Sequence, residues 1–249
     1  MFKSSTLLSG CEKMAIGRVS TGLKELDDII HGYPEGKTVL ITGDAGVGKT
    51  VLGLHFIVEH CKAGEKCAIV ATEESPDDLR AQALGFGWDL KKYEDEGLLH
   101  IFEVLERRMI EARFSDPTEK SVEMSLKDIA NWIPQDVSYV VVDNVGVYAL
   151  GMPIEKFREQ MDLLVYLLSK KECTSLVICD DAVGEQYNNV AMYSTYGAIW
   201  LFRRENPYTN RRERLIEIRK MRSTEVPIDY LPFEISGGGI KVFRSSLSE

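Results

Sequence analysis

Residues 43 to 50 read Gly43-Asp44-Ala45-Gly46-Val47-Gly48-Lys49-Thr50, a complete GxxxxGK[ST] motif. The apolar run Thr38-Val39-Leu40-Ile41-Thr42 precedes the motif, and an apolar helical pattern begins at Val51 directly after it. A strand, a glycine loop and a helix in this order favour phosphate binding, because the loop N–H groups and the helix start surround the phosphates. The lysine reaches the β- and γ-oxygens, and the threonine hydroxyl ligates Mg²⁺. The stretch from Gly43 to Val51 therefore predicts a site for Mg²⁺ and a nucleoside triphosphate.

The composition excludes several other classes of protein. The 249 residues carry a formal net charge of −9, which is unusual for a free-standing DNA-binding domain. The five cysteines are odd in number and form no CxxC pair, so neither a disulfide framework nor a zinc ribbon is indicated. Apolar runs are too short for a membrane span, because Asp143 interrupts the longest candidate after Val140-Val141-Val142. We expect a cytoplasmic protein with reduced thiols.

Strand and helix patterns alternate along most of the chain, which predicts an α/β fold with a mostly parallel central sheet flanked by helices. A short helix capped by Ser20 or Thr21 precedes the phosphate loop. The predicted strands are 38–42, 67–72, 98–102, 139–143 and 174–179, and the predicted helices are 49–63, 76–84, 121–133 and 154–171. Beyond residue 197 the alternation of apolar and polar residues predicts a C-terminal antiparallel extension. We expect a flexible leader over 1–16, one domain over 17–249 and a surface loop over 103–120.

Carboxylates follow two of the predicted strands. Asp143 ends the apolar strand Val140-Val141-Val142, where P-loop proteins place a second group that organises the metal, so Thr50 and Asp143 are the candidate metal ligands. Asp143 could instead cap the turn at Asn144. Glu73 and Glu74 follow the strand at 67–72, at the sheet edge where open α/β sheets bind ligands. We predict that Glu73 activates the attacking water, with Glu74 as the alternative; both could instead begin the next helix.

Further stretches carry a resemblance to a known family. They are Arg18-Val19-Ser20-Thr21-Gly22-Leu23, the phosphate loop, Thr72-Glu73-Glu74-Ser75-Pro76, Phe86-Gly87-Trp88-Asp89-Leu90, the Asp143 strand and Lys220-Met221-Arg222-Ser223-Thr224. Together they resemble a KaiC-type domain of the RecA superfamily from about Arg18 to Phe243. The resemblance implies a RecA-like ATPase core, ATP bound between the subunits of a homo-oligomer, often a hexameric ring, and a catalytic glutamate pair at Glu73 and Glu74. It also implies a preference for adenine and, because single-domain members are common in archaea, an archaeal origin.

The resemblance gives a role to the basic segment that ends at Arg222. In related rings a lysine and an arginine two residues apart reach the γ-phosphate bound by the neighbouring subunit, which maps onto Lys220 and Arg222. Strand alternation places both on one face, and Arg214 is expected on the same face as a further nucleotide contact. The alternative is a solvated edge strand whose charges prevent aggregation.

The chain departs from the family pattern at three places. Asn144 follows Asp143 where serine is frequent, and Gly237-Gly238-Gly239 replaces a segment that often carries an aspartate. Asp180 and Asp181 stand where sensor-type polar residues are usual, and carboxylates near a triphosphate repel it unless they are turned away or bound to a metal. We therefore expect slow turnover.

Three functional hypotheses follow. The first is an oligomeric ATPase that acts as a regulatory or signalling switch and recruits an unknown protein partner. The second is a recombinase-like protein that binds nucleic acid, for which only Arg203-Arg204 and Arg211-Arg212 offer a basic surface. The third is an accessory ATP-binding module of the archaeal motility motor. Ser194-Thr195 lies where clock-type relatives phosphorylate themselves, but the pair is displaced and Tyr196 replaces an acidic residue, so we expect no stable phosphorylation there.

Overall fold

The computed structural model describes residues 16–104, 125–207 and 209–243. The described chain begins with a small hairpin of β1 (Arg18–Val19) and β2 (Tyr33–Pro34), which encloses α1 (Lys24–Ile30). The remaining strands are β3 (Thr38–Gly43), β4 (Cys67–Ala71), β5 (Leu99–Glu103), β6 (Tyr139–Asp143), β7 (Thr174–Asp180), β8 (Gly197–Glu205), β9 (Arg212–Met221), β10 (Leu231–Ser236) and β11 (Gly239–Val242). The remaining helices are α2 (Lys49–Lys62), α3 (Pro76–Gly85), α4 (Leu90–Asp95), α5 (Leu126–Trp132), α6 (Ile154–Lys170) and α7 (Glu185–Ser194).

The main sheet has the order β11-β10-β9-β8-β3-β7-β6-β4-β5. From β8 to β5 all neighbouring strands are parallel, and from β8 to β11 they are antiparallel. The predicted parallel sheet with an antiparallel C-terminal extension is therefore confirmed. Because the carboxyl ends of parallel strands share one edge, the segments after β3, β4, β6 and β7 meet there.

Two hydrophobic clusters cover the two faces of the sheet. Successive residues of β3 contribute to both, since Val39 and Ile41 belong to the first cluster and Leu40 to the second. The first cluster includes α2 through Phe56, and the second includes α6 through Leu164. Burial on both faces explains why the parallel strands are continuous apolar runs rather than alternating ones.

Several sequence predictions differ from the structure in detail. The N-cap of α1 is Leu23 rather than Ser20 or Thr21; the Thr21 hydroxyl instead accepts a hydrogen bond from the Leu23 N–H at 3.1 Å. Two short helices, α4 and α7, were not predicted, because few of their residues are buried and their apolar pattern is weak. Of the predicted helix 121–133, the part from Leu126 is described as α5. The leader up to residue 15 and the loop at 105–120 lie outside the described residues.

The four described cysteines, Cys61, Cys67, Cys173 and Cys179, are buried and free of disulfides. Within the described part of the chain, no helix has the length and apolar character needed to cross a bilayer.

His55 links α2 to the C-terminal strands. Its Nε2 atom accepts a hydrogen bond from the Ile240 N–H at 2.5 Å. Its ring packs edge-on against Trp88, with 4.6 Å between the ring centroids. Burial, and secondarily Lys62, lowers the pKa of His55 from 6.5 to about 4. The neutral imidazole is therefore the form that the folded state favours.

This arrangement predicts an acid-sensitive contribution to stability. Because the folded-state pKa lies below the unfolded value, the stabilisation is complete above pH 6.5 and is lost as the pH falls towards 4. Urea unfolding measures the free energy of unfolding at pH 7 and at pH 4. Between these pH values the free energy of unfolding of His55→Gln should fall by about 1–3 kcal/mol less than that of the wild type, because glutamine accepts the same hydrogen bond without titrating. His100→Gln on β5 is the control. If the free energy of unfolding depended on pH in the same way for the wild type and His55→Gln, His55 would not be the source of the acid sensitivity.

Candidate functional site: the phosphate loop and its carboxylates

The backbone of the phosphate loop is fixed by its contacts with the strands beside it. Gly43 has φ +142°, and a Cβ atom there would collide with the Leu201 carbonyl oxygen on β8. Gly48 has φ +121°, and its Cβ would lie 2.7 Å from the Ile235 side chain on β10. Gly43 therefore requires glycine for conformation and for space, and Gly48 requires it for conformation. The result is a loop held between β8 and β10 that opens directly into α2.

Lys49 lies inside the loop with only 6% of its surface exposed. Its Nζ atom donates to the carbonyl oxygens of Gly43 at 2.9 Å and Asp44 at 2.8 Å. It also forms an ion pair with the Asp180 Oδ1 atom at 2.5 Å. A buried ammonium group surrounded by oxygen atoms is well placed to exchange these partners for phosphate oxygens.

Arg203, which the sequence suggested only as a candidate for nucleic-acid binding, contacts the phosphate loop. Its backbone N–H donates to the Asp44 carboxylate at 3.0 Å, and its guanidinium donates to the carbonyl oxygens of Ala45 at 3.4 Å and Gly46 at 2.5 Å. The neighbouring Arg204 lies over the Tyr230 ring at 5.5 Å. Arg203 therefore braces the loop from β8. The sequence contains no signal for this contact, because it depends on β8 being the neighbour of β3.

Thr50 and Asp143, the predicted metal ligands, are in contact. The Thr50 hydroxyl donates to the Asp143 Oδ2 atom at 2.6 Å. Burial, together with Glu74, Asp180 and Glu73, raises the pKa of Asp143 to about 7, although the hydrogen bond from Thr50 opposes this shift.

The pair fits a magnesium ion. Mg²⁺ prefers hard oxygen donors and usually takes one or two from the protein and the rest from phosphates and water.

Asn144 connects the carboxylates at this edge of the sheet. Its amide nitrogen donates to the Glu73 Oε2 atom at 2.7 Å and to the Asp180 Oδ2 atom at 2.6 Å. Its amide oxygen accepts from the Gly146 N–H at 2.6 Å, so Asn144, not Asp143, caps the short 3₁₀ turn Val145–Tyr148. The substitution of the usual serine therefore adds a bridge between Glu73 and Asp180.

The two glutamates differ in environment. Both line the same cavity, and Glu73 is exposed whereas Glu74 is half-buried. Burial, followed by Asp78 and Glu73, raises the pKa of Glu74. The alternative role in helix capping is taken by Ser75, which accepts from the Asp78 N–H at 3.2 Å at the start of α3. Both glutamates thus remain available to the cavity.

The two aspartates after β7 point to different partners. Asp180 is neutralised by Lys49, whereas Asp181 accepts hydrogen bonds from the Thr42 hydroxyl at 2.8 Å and the Trp200 indole at 2.9 Å. Asp181 is therefore turned towards the sheet. Asp180 has to release Lys49 before a triphosphate takes its place.

A cavity of about 410 Å³ connects these groups. Its lining combines polar and charged groups, among them Lys49, Thr50 and Asp143, with apolar side chains. The lining residues are Ala45, Gly46, Gly48, Lys49, Thr50, Val51, Ala71, Glu73, Glu74, Leu79, Gln82, Phe86, Asp143, Asp180 and Ile235. The cavity therefore offers polar groups to an anion and apolar surface to the rest of a ligand.

Arg222 lies in the turn that follows β9, and Arg214 and Lys220 lie on opposite faces of the sheet. Lys220 pairs with Ala198, which belongs to the second core cluster, whereas Arg214 pairs with Phe233 of the first. A β-bulge beside Lys220 causes the change of face, because it inserts one residue into the alternation. The prediction that Arg214 shares a face with Lys220 is therefore wrong.

The Lys220 side chain contacts the C-terminal end of α7. Its Nζ atom donates to the carbonyl oxygens of Met192 at 2.8 Å and Thr195 at 2.6 Å. Burial, and secondarily Arg222, lowers the pKa of Lys220 to about 8. The Thr195 hydroxyl is fully buried and donates to carbonyl oxygens of α7 at 3.1 Å, so it is poorly placed to accept a phosphoryl group.

The comparisons with known proteins agree with this geometry. The family model described as "ATPase: KaiC" matches residues 19–246. A UPF0273 protein of Methanopyrus kandleri is 30% identical over 243 residues, covering 92% of this chain and 93% of that protein. The circadian clock protein KaiC2 of Synechocystis sp. is 30% identical over 238 residues, which cover 93% of this chain but 40% of KaiC2.

A solved structure extends the comparison to the fold. The crystal structure of a KaiC-like protein from the archaeon Pyrococcus horikoshii OT3 superposes with a TM-score of 0.73 at 28% identity, covering 92% of this chain and all of that one. The sequence match, the shared fold and the phosphate-loop cavity agree, and the chain belongs to the KaiC family of RecA-type ATPases.

Proposed function

We propose that the protein binds Mg·ATP in the phosphate-loop cavity and hydrolyses it slowly to ADP and phosphate. One observation carries this proposal: a single cavity joins Lys49, the Thr50–Asp143 pair and the two glutamates. An anion site, a metal pair and a candidate base are the parts that phosphoryl transfer to water requires.

Each group has a distinct task. The loop N–H groups and Lys49 hold the β- and γ-phosphates, and Thr50 and Asp143 hold Mg²⁺, which neutralises charge on the phosphate oxygens. Glu73 accepts a proton from the attacking water as the water oxygen bonds to the γ-phosphorus. The bond from that phosphorus to the bridging oxygen breaks, and the electron pair leaves with ADP. The Lys49–Asp180 ion pair opposes ATP binding, because the triphosphate has to displace Asp180, and turnover is therefore slow when ATP is not saturating.

We further propose a homo-oligomer, of the hexameric ring type, in which Lys220 and Arg222 act on ATP bound by the neighbouring subunit. The assembly works as a cytoplasmic regulatory switch whose ATP and ADP states differ in affinity for a protein partner. Archaeal relatives such as the Methanopyrus kandleri protein support an archaeal origin. The contacts of Arg203 favour the regulatory switch over a recombinase-like protein. Arg203 donates to carbonyl oxygens of the phosphate loop, so part of the basic surface is not available to bind nucleic acid.

Calorimetry with a non-hydrolysable ATP analogue and Mg²⁺ tests the binding site. The wild type should bind, and Lys49→Ala should bind about 100-fold more weakly, because charge-assisted bonds to phosphate are lost. Lys62→Ala, at the exposed end of the same helix, is the matched control. Chelation of Mg²⁺ should also weaken binding of the ATP analogue to the wild type. Absence of heat from any purine triphosphate with the wild type would refute the proposal.

A further inference from the structure

Four side chains form a continuous line of contacts along the carboxyl edge of the sheet. Lys49 pairs with the Asp180 Oδ1 atom at 2.5 Å. The other oxygen of Asp180 accepts from the Asn144 amide nitrogen at 2.6 Å, and that nitrogen also donates to Glu73 at 2.7 Å. The four residues lie at or after the ends of β3, β7, β6 and β4, which are successive neighbours in the sheet. The line therefore runs from the phosphate loop to the candidate base.

The Asn144 amide is fixed at the centre of this line. The residue is only 3% exposed, and its amide oxygen accepts from the Gly146 N–H at 2.6 Å. Its main chain is also held, because its N–H donates to the Thr72 hydroxyl at 2.6 Å and its carbonyl oxygen accepts from that hydroxyl at 2.8 Å. The amide nitrogen therefore faces the two carboxylates, and each of its two hydrogens has one acceptor.

A hydroxyl group cannot do the work of this amide. Serine has one hydrogen to donate, so it can serve only one of the two carboxylates at a time. The carboxylate that loses its hydrogen bond is then left beside other negative charges, which repel it. Asparagine at position 144 therefore holds Glu73 and Asp180 together in a way that serine does not.

The bond from Asn144 to Asp180 opposes ATP binding. The two oxygens of Asp180 belong to one planar group, with one oxygen on Lys49 and the other on Asn144. Asp180 therefore cannot leave Lys49 without disturbing its bond to Asn144. A triphosphate that takes Lys49 has to overcome this hydrogen bond as well as the ion pair.

The bond from Asn144 to Glu73 supports hydrolysis. Glu73 is exposed, and the buried amide gives its carboxylate a partner that is itself held by the main chain. We propose that Asn144 is a positioning residue with two opposite effects. It holds the carboxylate that competes with phosphate for Lys49, which lowers the affinity for ATP, and it orients the carboxylate that activates water, which raises the rate of hydrolysis. This inference rests on the proposed function, because it assumes that a triphosphate takes Lys49.

Asn144→Ser tests both effects. Calorimetry with Mg²⁺ and a non-hydrolysable ATP analogue should show binding about tenfold tighter than to the wild type, the value of one hydrogen bond to a charged group. Single-turnover hydrolysis should slow by about tenfold or more, because Glu73 keeps its carboxylate but loses its fixed position. A residue that only stabilised the fold would not make binding tighter when it is replaced.

Asn188→Ser is the matched control. Asn188 is also buried, but its amide nitrogen donates to the main-chain carbonyl oxygen of Asp180, at 3.2 Å, rather than to the carboxylate. The same substitution there should leave the affinity for the analogue and the rate of hydrolysis within about threefold of the wild type.

Asp180→Asn separates the two effects of Asn144. It removes the charge that competes with phosphate for Lys49. Adding Asn144→Ser to this variant should therefore leave its affinity for the analogue within about threefold, but should still slow its hydrolysis by about tenfold or more. Tighter binding of similar size on adding Asn144→Ser would show that the affinity change does not pass through the Asp180 carboxylate.

The outcomes distinguish this inference from the proposed function. If the wild type binds no analogue, the proposed function fails. If the wild type binds the analogue and hydrolyses ATP, but Asn144→Ser does not combine tighter binding with slower hydrolysis, nucleotide binding stands and the role of Asn144 is wrong. Asn144→Thr also replaces two donor hydrogens with one, and it decides the question if Asn144→Ser does not fold.

Discussion

Arg222→Ala should reduce ATP hydrolysis by about 10³-fold or more while leaving the affinity for ATP nearly unchanged, because an arginine delivered to the transition state contributes about 10³ to 10⁵ in rate. The strand register indicates that this arginine lies too far from the phosphate loop of its own chain to act there. The Arg222 N–H donates to the Tyr196 carbonyl, and the Tyr196 N–H donates to the Thr38 carbonyl. Arg222 therefore lies level with Thr38, at the start of β3.

The phosphate loop begins at the other end of the same strand. Thr38 and Gly43 are five residues apart, which is about 16 Å along a strand. An arginine side chain is too short to cover that distance, so Arg222 cannot reach the triphosphate held by its own chain. It can reach one only if a second subunit presents its phosphate loop at this end of the sheet.

Mixing two inactive variants tests this directly. Lys49→Ala lacks a working phosphate loop but keeps Arg222, and Arg222→Ala has the opposite defect. Combined in equal amounts under conditions that allow subunit exchange, they should recover a substantial fraction of wild-type activity, and size measurements with ATP should show the assembly. Arg219→Ala, which removes the neighbouring arginine stacked over Trp200 at 3.9 Å, is the control and should stay within about threefold of the wild type. Normal ATP hydrolysis by Arg222→Ala, or no recovery of activity when the two variants are mixed, would contradict the proposal that Arg222 acts on ATP bound by another subunit.

The sequence alone predicted the features that depend on residues close together in the chain. The phosphate loop, the strand before it and the helix after it are contiguous, and glycines 43 and 48 have the backbone angles that the motif requires. The proximity of Thr50 and Asp143 was also predictable, since a carboxylate at the end of a buried strand lies at the same sheet edge as the loop. These inferences needed the parallel sheet but not its exact strand order.

The contacts that sequence reasoning missed depend on neighbours distant in the chain. Arg203 reaches the loop because β8 pairs with β3, and Asp180 reaches Lys49 because β7 lies on the other side of β3. The error over Arg214 came from a β-bulge, which the pattern of apolar and polar residues in β9 does not reveal.

Glu73→Gln is the second substitution with a large expected effect. General-base catalysis contributes about 10²- to 10⁴-fold, and the variant should lose turnover in that range while binding ATP within about threefold of the wild type. Glutamine is nearly the same size, and its amide oxygen can still accept from Asn144, which holds the wild-type side chain at 2.7 Å. The change therefore removes the basic carboxylate with little effect on the geometry.

Glu74→Gln is the matched comparison, because it makes the same chemical change one residue later in the same cavity. Asn144 donates to Glu73 rather than to Glu74, and burial, followed by the charges of Asp78 and Glu73, raises the pKa of Glu74. We therefore expect a loss of less than about tenfold from Glu74→Gln. Single-turnover measurements separate hydrolysis from product release in both variants. If Glu74→Gln were the slower enzyme, water activation would belong to Glu74, and the Asn144 bridge would serve only to hold Asp180 beside Lys49.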